Sequence, residues 1–275
     1  MANELNFDKL VIDRVVDGWF ENKLNQLLCV LDDVQDFQIS NTSETKDKTD
    51  SQGALIKRFY QSKSAEVSGA NAVFSMNLAA MQMGTTKKTG TEVVMPRIMQ
   101  VSASDSPITL PDTPIDGTLI VYGTFDNGIP NTELEYTKDD AAGPGKYAIA
   151  TAGGVTTLTL PTDATALVQV KYEYQVAEGQ IAARVDQDGS SFPKECKATF
   201  RVLCSEICDP ETVRALYIVF PRFQMSPDFD WSVATDSVQN FSAIALKDYC
   251  SAANNLYYLA IAENSDDYDT KQFDK

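Results

Sequence analysis

The chain has 275 residues, 43% of them hydrophobic, which is enough to bury one large core or two smaller ones. Its 39 acidic and 23 basic residues give a formal net charge of -16, which argues against wrapping nucleic acid or docking on anionic lipid, since both need a cationic surface. No apolar run reaches the roughly 18 residues of a transmembrane helix, and the first residues lack the pattern of a secretory signal. We therefore expect a protein that folds in a cytoplasm.

The side chains available for chemistry are few. The sequence contains no histidine, which excludes Ser-His-Asp triads, Cys-His dyads and imidazole bases. Its five cysteines are odd in number and scattered, which is not the pattern of a disulfide framework. Cys204 and Cys208 are four residues apart, but a metal site would need two more soft ligands. We predict free thiols, no metal, no cofactor and no enzymatic activity.

The N-terminal third combines apolar segments with one short helix. Residues 10–34 are apolar with polar breaks, and their periodicity fits either a helix face or two short strands. Residues 35–40 alternate as in a strand, and residues 64–75 read as extended with a break at Gly69. Residues 76–83 are rich in helix formers and are followed by Gly84, which predicts a helix of about two turns.

The segment Asn41 to Gln52 is twelve residues long and has no apolar side chain. Because it can bury nothing, we expect a mobile loop or a segment that only a partner orders. Residues 53–60 regain apolar character through Leu55, Ile56, Phe59 and Tyr60. A polar loop with a few large apolar residues is typical of an assembly arm.

The middle of the chain differs from the N-terminal third in composition and in the spacing of its apolar segments. A proline-rich stretch leads into strand-like segments about ten residues apart, separated by glycine-containing turns. These segments are residues 118–122, 134–136, 147–150, 156–160 and 167–174. The spacing predicts a small β-sandwich or barrel, which we interpret as a module inserted into a host fold.

The last third is also strand-rich. Strands are predicted at residues 197–203, 215–220, 229–233, 241–246 and 255–261. Pro210, Pro221 and Pro227 are expected to break the chain between strands, because proline cannot donate to a sheet ladder. The final dozen residues, with four aspartates, are expected to form a frayed acidic tail.

Three C-terminal segments resemble the tail tube (major tail) proteins of tailed bacteriophages: residues 192–199, 216–229 and 241–250. Their order is a strand, a strand with a proline-bounded corner, and a strand that ends in Lys-Asp-Tyr-Cys before the terminal strand. The resemblance covers about residues 1–95 and 180–275. Residues 96–179 lie outside the family pattern and form the expected Ig-like β-sandwich insertion, which we place on the outer surface.

The resemblance implies a mainly β fold, a tail-tube-type β-sandwich with a short helix. It further implies a structural subunit whose rings of six stack into a tube, in the virion tail, after assembly in the bacterial host cytoplasm. The partners would be further copies of the chain, a sheath or other tail proteins, and viral DNA that passes through the lumen without specific binding. An acidic lumen would repel DNA and let it slide.

Two sets of residues follow from this interpretation. Contacts between rings and subunits are assigned to the polar arm and its apolar end, namely Asn41, Glu44, Lys46, Asp47, Lys48, Asp50, Leu55, Ile56, Phe59 and Tyr60. The lumen-facing candidates are alternating polar residues of the segments expected to build the inner sheet, namely Gln38, Ser40, Glu66 and Ser68.

Three alternatives stay open at this stage. Another virion protein, such as a capsid decoration protein or a tail-terminator ring, would share the acidity and the strands but would not polymerise into long tubes. A non-catalytic β-sandwich binding or adhesin module would bind glycans without oligomerising. An enzyme with a carboxylate-only site is the third, and no residues can be nominated for it.

Overall fold

The computed structural model describes residues 7–232, 234–235, 237–249 and 254–262, with the backbone alone for residues 209–211. The acidic tail expected at the C-terminus lies outside these residues. The chain divides into two compact units, Met1–Lys87 with Val185–Lys275, and Lys88–Arg184. The second unit is therefore enclosed in sequence by the first. An inserted module with boundaries at 96 and 179, on an outer surface, stays a prediction.

The described residues are mainly β-strand, with one α-helix, which confirms the predicted fold class. The first unit begins with β1 (Leu10–Glu21), β2 (Leu27–Leu31), β3 (Val34–Thr49), β4 (Leu55–Asn71) and α1 (Met76–Met83). The second unit contains β5 (Lys88–Thr89), β6 (Val94–Ser102), β7 (Ile108–Leu110), β8 (Ile120–Thr124), β9 (Pro130–Lys138), β10 (Lys146–Ala152), β11 (Val155–Thr159), β12 (Leu167–Gln175) and β13 (Ala183–Arg184). The first unit then continues with β14 (Cys196–Glu206), β15 (Asp209–Met225), β16 (Gln239–Ala245) and β17 (Tyr258–Ile261).

The strands of the first unit form one antiparallel sheet in the order β2-β1-β14-β15-β16-β4-β3, with β17 added to β15 beside this path. β14 and β3 are four places apart in that order. The rings of Phe200 in β14 and Phe37 in β3 nevertheless have centroids 4.5 Å apart. The sheet therefore curls back on itself, and its two halves enclose a core as the layers of a sandwich do.

Phe200 is the centre of this core. It is fully buried, and its ring contacts five other rings at centroid distances of 4.5 to 6.3 Å. These rings are Phe20, Phe37, Phe220, Phe223 and Phe241. Aromatic pairs of this kind contribute about 0.5–1.5 kcal/mol each beyond the area they bury.

Two glycines within strands make room for these rings. A Cβ atom on Gly18 would lie 2.6 Å from the Phe200 ring, and one on Gly69 would lie 2.7 Å from the Phe241 ring. The break expected at Gly69 is therefore wrong, because β4 runs through it without interruption. The glycine serves packing and does not end the strand.

β15 changes its partner along one edge. Its residues 216–219 pair with β17, and its residues 223–225 pair with β16. Pro221 lies between the two stretches, where the register with β14 shifts by one residue. The break expected at Pro221 is wrong, because a bulge accommodates a residue that cannot donate to the ladder.

The helix predicted at residues 76–83 is confirmed with the same bounds. The Ser75 hydroxyl accepts a hydrogen bond from the Leu78 backbone N–H at 3.3 Å, which caps the N-terminus. Gly84 ends the helix in the left-handed conformation, with φ of 71°. A Cβ atom there would lie 2.2 Å from the carbonyl carbon of Phe192, so both the backbone angle and the space require glycine.

The structure resolves the ambiguity over residues 10–34 in favour of two strands, β1 and β2. The polar break between them is a turn, in which the Asn22 side-chain oxygen accepts from the backbone N–H groups of Leu24 at 2.8 Å and Gln26 at 3.0 Å. Asn25 supplies the positive φ that the turn needs.

The strand expected at residues 229–233 is not found in its described part, where Trp231 forms a single bridge to Gln239. Val233 lies outside the described residues. The Phe229 and Trp231 rings pack on each other instead, with centroids 4.8 Å apart.

The second unit has its own seven-stranded sheet and its own core. The order is β6-β12-β8-β9-β10-β11-β7, and Tyr172, Val121, Leu158 and Val170 are fully buried within it. All five strands expected between 118 and 174 are present, with boundaries that differ by up to four residues. β5 and β13, where the chain enters and leaves this unit, pair with each other. Among the described residues, no helix is long and apolar enough to cross a membrane.

Candidate assembly surfaces

The segment expected to be a loop at 41–52 is not a loop. Residues 41–49 belong to β3 and pair with residues 55–65 of β4, so that residues 41–64 form a two-stranded ribbon, here called the hairpin. Its residues 41–64 are exposed on both faces. The expectation fails because a strand needs backbone pairing and not burial, and a polar strand can pair with its neighbour.

Polar side chains link the two strands of the hairpin. The Arg58 guanidinium donates to both carboxylate oxygens of Asp47, at 2.8 and 2.9 Å. This bidentate contact lowers the pKa of the Asp47 carboxyl and raises that of Arg58. Closer to the core, the Ser62 hydroxyl donates to Glu44 at 3.0 Å. Such cross-strand pairs fix the register of the ribbon without a hydrophobic core.

The tip of the hairpin is a turn organised by Asp50. Its carboxylate accepts from the backbone N–H groups of Gln52 at 2.9 Å and Ala54 at 2.8 Å, and Gly53 adopts a φ of 84°. At the base, the Asn41 amide donates to the hydroxyl of Tyr257 at 3.0 Å. Four of the predicted contact residues, Asn41, Glu44, Asp47 and Asp50, therefore also hold the hairpin in shape.

The other predicted contact residues lie on the surface of the hairpin. Leu55, Ile56, Phe59 and Tyr60 expose between 45% and 73% of their surface, although large apolar side chains usually avoid water. Lys46 lies directly opposite Phe59, and Lys48 lies opposite Lys57. Because every second residue of a strand points to the same face, these four side chains share one side of the ribbon. The Lys57 ammonium is 5.0 Å from the centroid of the Phe59 ring. We call Lys46, Lys48, Lys57 and Phe59 the lysine face.

The lysine face is cationic in an acidic protein. None of its three lysines forms an ion pair with a residue that the structure describes. Residues 41–64 carry five basic and three acidic side chains, whereas the whole chain carries 23 and 39. The hairpin therefore combines exposed apolar surface with positive charge.

The four lumen-facing candidates lie together on one outer side of the sheet. Gln38 pairs with Ser68, and Ser40 pairs with Glu66, whereas Ala65 and Val67, which alternate with Glu66 and Ser68 along β4, are buried in the core. β16 extends this side with Ser242 and Ile244, which sequence reasoning missed. Ser242 lies between the apolar residues Phe241 and Ala243, and this alternation could have identified it, whereas the apolar Ile244 gives no such signal. We call these six residues the polar face, and it contains no basic side chain.

Open cavities in the described part of the first unit include two with buried neighbours. One, of about 580 Å³, is bordered by Pro227, Asp228, Phe229, Asp230 and Phe241. The other, of about 650 Å³, lies between the end of α1 and the β1–β2 turn. Neither was predicted, because both combine residues that are far apart in sequence.

The described cysteines are free, and three of them are buried. Burial raises the pKa of the Cys196 thiol to about 12 and also raises those of Cys29 and Cys204. Within the described part of the chain, no group of three or more acidic or cysteine side chains is arranged to hold a metal ion.

The sequence model of the YomU/Tube protein family matches residues 10–259, which span both units. The chain belongs to this family. The YomU/Tube family is a structural, phage tail tube-type family, so the suspected relationship is confirmed and the chain is a phage tube protein of the virion tail. No curated protein matches the sequence.

For this YomU/Tube protein, the roles of the individual surfaces stay predictions. The structure groups the ten contact candidates on one hairpin and the four lumen candidates on one face. Contacts between copies of the chain stay predictions as well.

Proposed function

We propose that this chain is the non-catalytic structural subunit of a phage tail tube, and that its rings, hexameric by resemblance, stack around a channel for DNA. The observation that carries the proposal is the polar face. Ser40, Ser68 and Ser242 present hydroxyls, Glu66 presents the one charge, and no basic side chain interrupts them. A surface without cations does not retain a polyanion, because retention depends on neutralising phosphates.

The two open edges of the sheet support ring formation. β2 and β3 end the first unit's sheet on either side, and each leaves one row of backbone groups without a strand partner in the described chain. Exposed edges of this kind promote pairing between chains. Pairing between unlike edges is heterologous and closes into a ring when the rotation allows it. In this arrangement the second unit stands on the outer wall as an inserted module, where it can contact a sheath or other tail proteins.

The first test is self-assembly of the purified chain. Negative-stain microscopy at increasing protein concentration should reveal hollow tubes of constant diameter. Small closed rings that do not grow would favour a tail-terminator protein, and a monomer at all concentrations would favour a decoration protein. Either result would refute the proposal of a tube subunit.

The second test examines the polar face. Ser40→Lys with Ser68→Lys should still assemble, but the tubes should retain a short fluorescent DNA duplex at low salt and release it at high salt. Ala177→Lys with Gln180→Lys makes the same change in charge on exposed residues of the second unit. If both variants retain DNA equally, the polar face does not line the channel.

A further inference from the structure

The first-unit cavity that Phe229 borders adjoins a cluster of three aromatic rings, because Phe229 also packs on Trp231. The rings of Phe229 and Phe74 both pack against Trp231, with centroid distances of 4.8 and 5.5 Å. Phe74 and its neighbour Val73 are more than half exposed. The indole N–H of Trp231 is shielded from solvent and has no hydrogen-bond partner among the residues that the structure describes. The groove formed by the cavity and these rings is therefore an apolar surface that the described residues of one copy leave uncovered.

Acidic side chains border this groove. Asp228 and Asp230 flank Phe229, are exposed, and form no ion pair within the described chain. The residues that line the cavity include no basic side chain. We call Val73, Phe74, Asp228, Phe229, Asp230 and Trp231 the acidic groove.

The acidic groove and the lysine face are complementary in two respects. The groove offers carboxylates beside aromatic rings, and the lysine face offers ammonium groups beside Phe59. Apolar surfaces gain from mutual burial, and opposite charges around them select the partner and the register. Ammonium groups also interact favourably with the faces of aromatic rings.

The two surfaces lie at opposite ends of the same strand. β4 begins at Leu55 beside the tip of the hairpin, and its residue Gly69 pairs with Phe241, which lines the cavity. The 14 residues between Leu55 and Gly69 correspond to roughly 46 Å of extended strand. Two different surfaces at opposite ends of one molecule give a heterologous contact that repeats in one direction without closing.

We propose that the lysine face of one copy docks into the acidic groove of a second copy, head to tail, and that this contact joins successive rings. The inference rests on the proposed tube function but assigns it a specific donor and receptor. Phe59 covers the exposed ring of Phe74 and the half-buried ring of Phe229, while Lys48 and Lys57 pair with Asp228 and Asp230. The contact gives both exposed surfaces an occupant from the same chain.

The test reverses the charges on each side. Lys48→Glu with Lys57→Glu changes two residues that face each other across the hairpin. The repulsion between two lysines is therefore replaced by a similar repulsion between two glutamates, and the hairpin itself is not further destabilised. Asp228→Lys with Asp230→Lys changes the groove. Each double variant should raise the concentration needed for tube growth at least tenfold, and the chain with all four changes should return to within threefold of the unchanged protein.

Glu133→Lys with Glu178→Lys is the matched control, because both residues are exposed in the second unit and the change in charge equals that of the groove variant. This control should elongate as the unchanged protein does. Circular dichroism and tryptophan fluorescence establish that every variant is folded. Loss of growth in the control, or no recovery in the fourfold variant, would overturn the proposed pairing.

Sedimentation velocity separates this inference from the proposed function. A 1:1 mixture of the groove variant and the hairpin variant should stack end to end into species larger than single rings, because each supplies the charge that the other lacks, whereas neither alone should grow beyond single rings at the same concentration. If the unchanged protein forms tubes and neither charge reversal matters, the inference is wrong and the tube function stands. If the mixture associates but no tubes form, the contact is correct and the tube function is wrong.

Discussion

Replacing Gly84 by alanine should destabilise the first unit more than the same change at Gly53. Both glycines have positive φ, 71° and 84°, which costs an alanine about 1–2 kcal/mol. At Gly53 nothing lies within 4 Å of the added Cβ. At Gly84 the added atom would lie 2.2 and 2.3 Å from the carbonyl carbon and oxygen of Phe192, where ordinary contact begins at 3.4 Å.

The Phe192 backbone must therefore move by about 1 Å, and overpacking of this kind costs about 1–3 kcal/mol. The expected loss in unfolding free energy is about 2–5 kcal/mol for Gly84→Ala and about 1–2 kcal/mol for Gly53→Ala. Urea unfolding followed by tryptophan fluorescence measures both, because Trp19 and Trp231 are the only two tryptophans and both belong to the first unit. Equal unfolding midpoints with equal slopes would refute the steric argument.

Three further predictions concern the core, an exposed carboxyl and the thiols. Phe200→Ala should cost about 3–5 kcal/mol in the same urea assay, because it leaves a cavity among buried rings; a loss below 1 kcal/mol would contradict the packing described. Hydrogen bonds from Ser191 lower the pKa of Asp188 from 3.8 to about 2. The ionised Asp188 carboxylate therefore stabilises the folded chain fully above pH 3.8, and this stabilisation is lost as the pH falls through 2. A carbon-detected NMR titration of the carboxyl measures this pKa, and Asp188→Asn should remove that part of the acid sensitivity. A thiol reagent at pH 8 should modify the exposed Cys208 and spare buried Cys196 until urea unfolds the chain, as mass spectrometry would reveal.

Local rules were sufficient where one segment determines its own structure. The helix at 76–83 follows from its helix formers and from Gly84, because the C-cap needs a residue that tolerates positive φ. β16 follows in part from Phe241, Ser242 and Ala243, where apolar and polar residues alternate and identify the outer side at Ser242. These features depend on neighbours within a few residues, and a single sequence contains that information.

The hairpin could not be predicted in the same way. Its strands pair with each other through contacts such as Asp47–Arg58, and a single sequence does not say which polar residues face each other. The absence of apolar residues in 41–52 indicates correctly that the segment is exposed, but exposure does not distinguish a loop from a ribbon. The interpretation as an arm did not depend on that distinction.

The acidic groove is the extreme case. Phe74 and Trp231 are 157 positions apart in sequence and meet only because β4 and β16 are neighbours in the sheet. Neither segment has a periodic pattern that reveals the contact. Pro221 is similar, because its position within β15 depends on a bulge opposite β14 and not on its own chain neighbours.

The partner exchange along β15 also determines how the subunit carries a mechanical load. A pull on the hairpin acts along β4, passes to β16, then to β15, and from there to β14 and β1. The pull is parallel to the strands, so the hydrogen bonds of each ladder share it and must break together. β15 belongs to both halves of the curled sheet, and tension applied to one half therefore reaches the other through a continuous backbone. A tube built from such subunits would transmit strain lengthwise through the backbone of its strands as well as through side-chain packing.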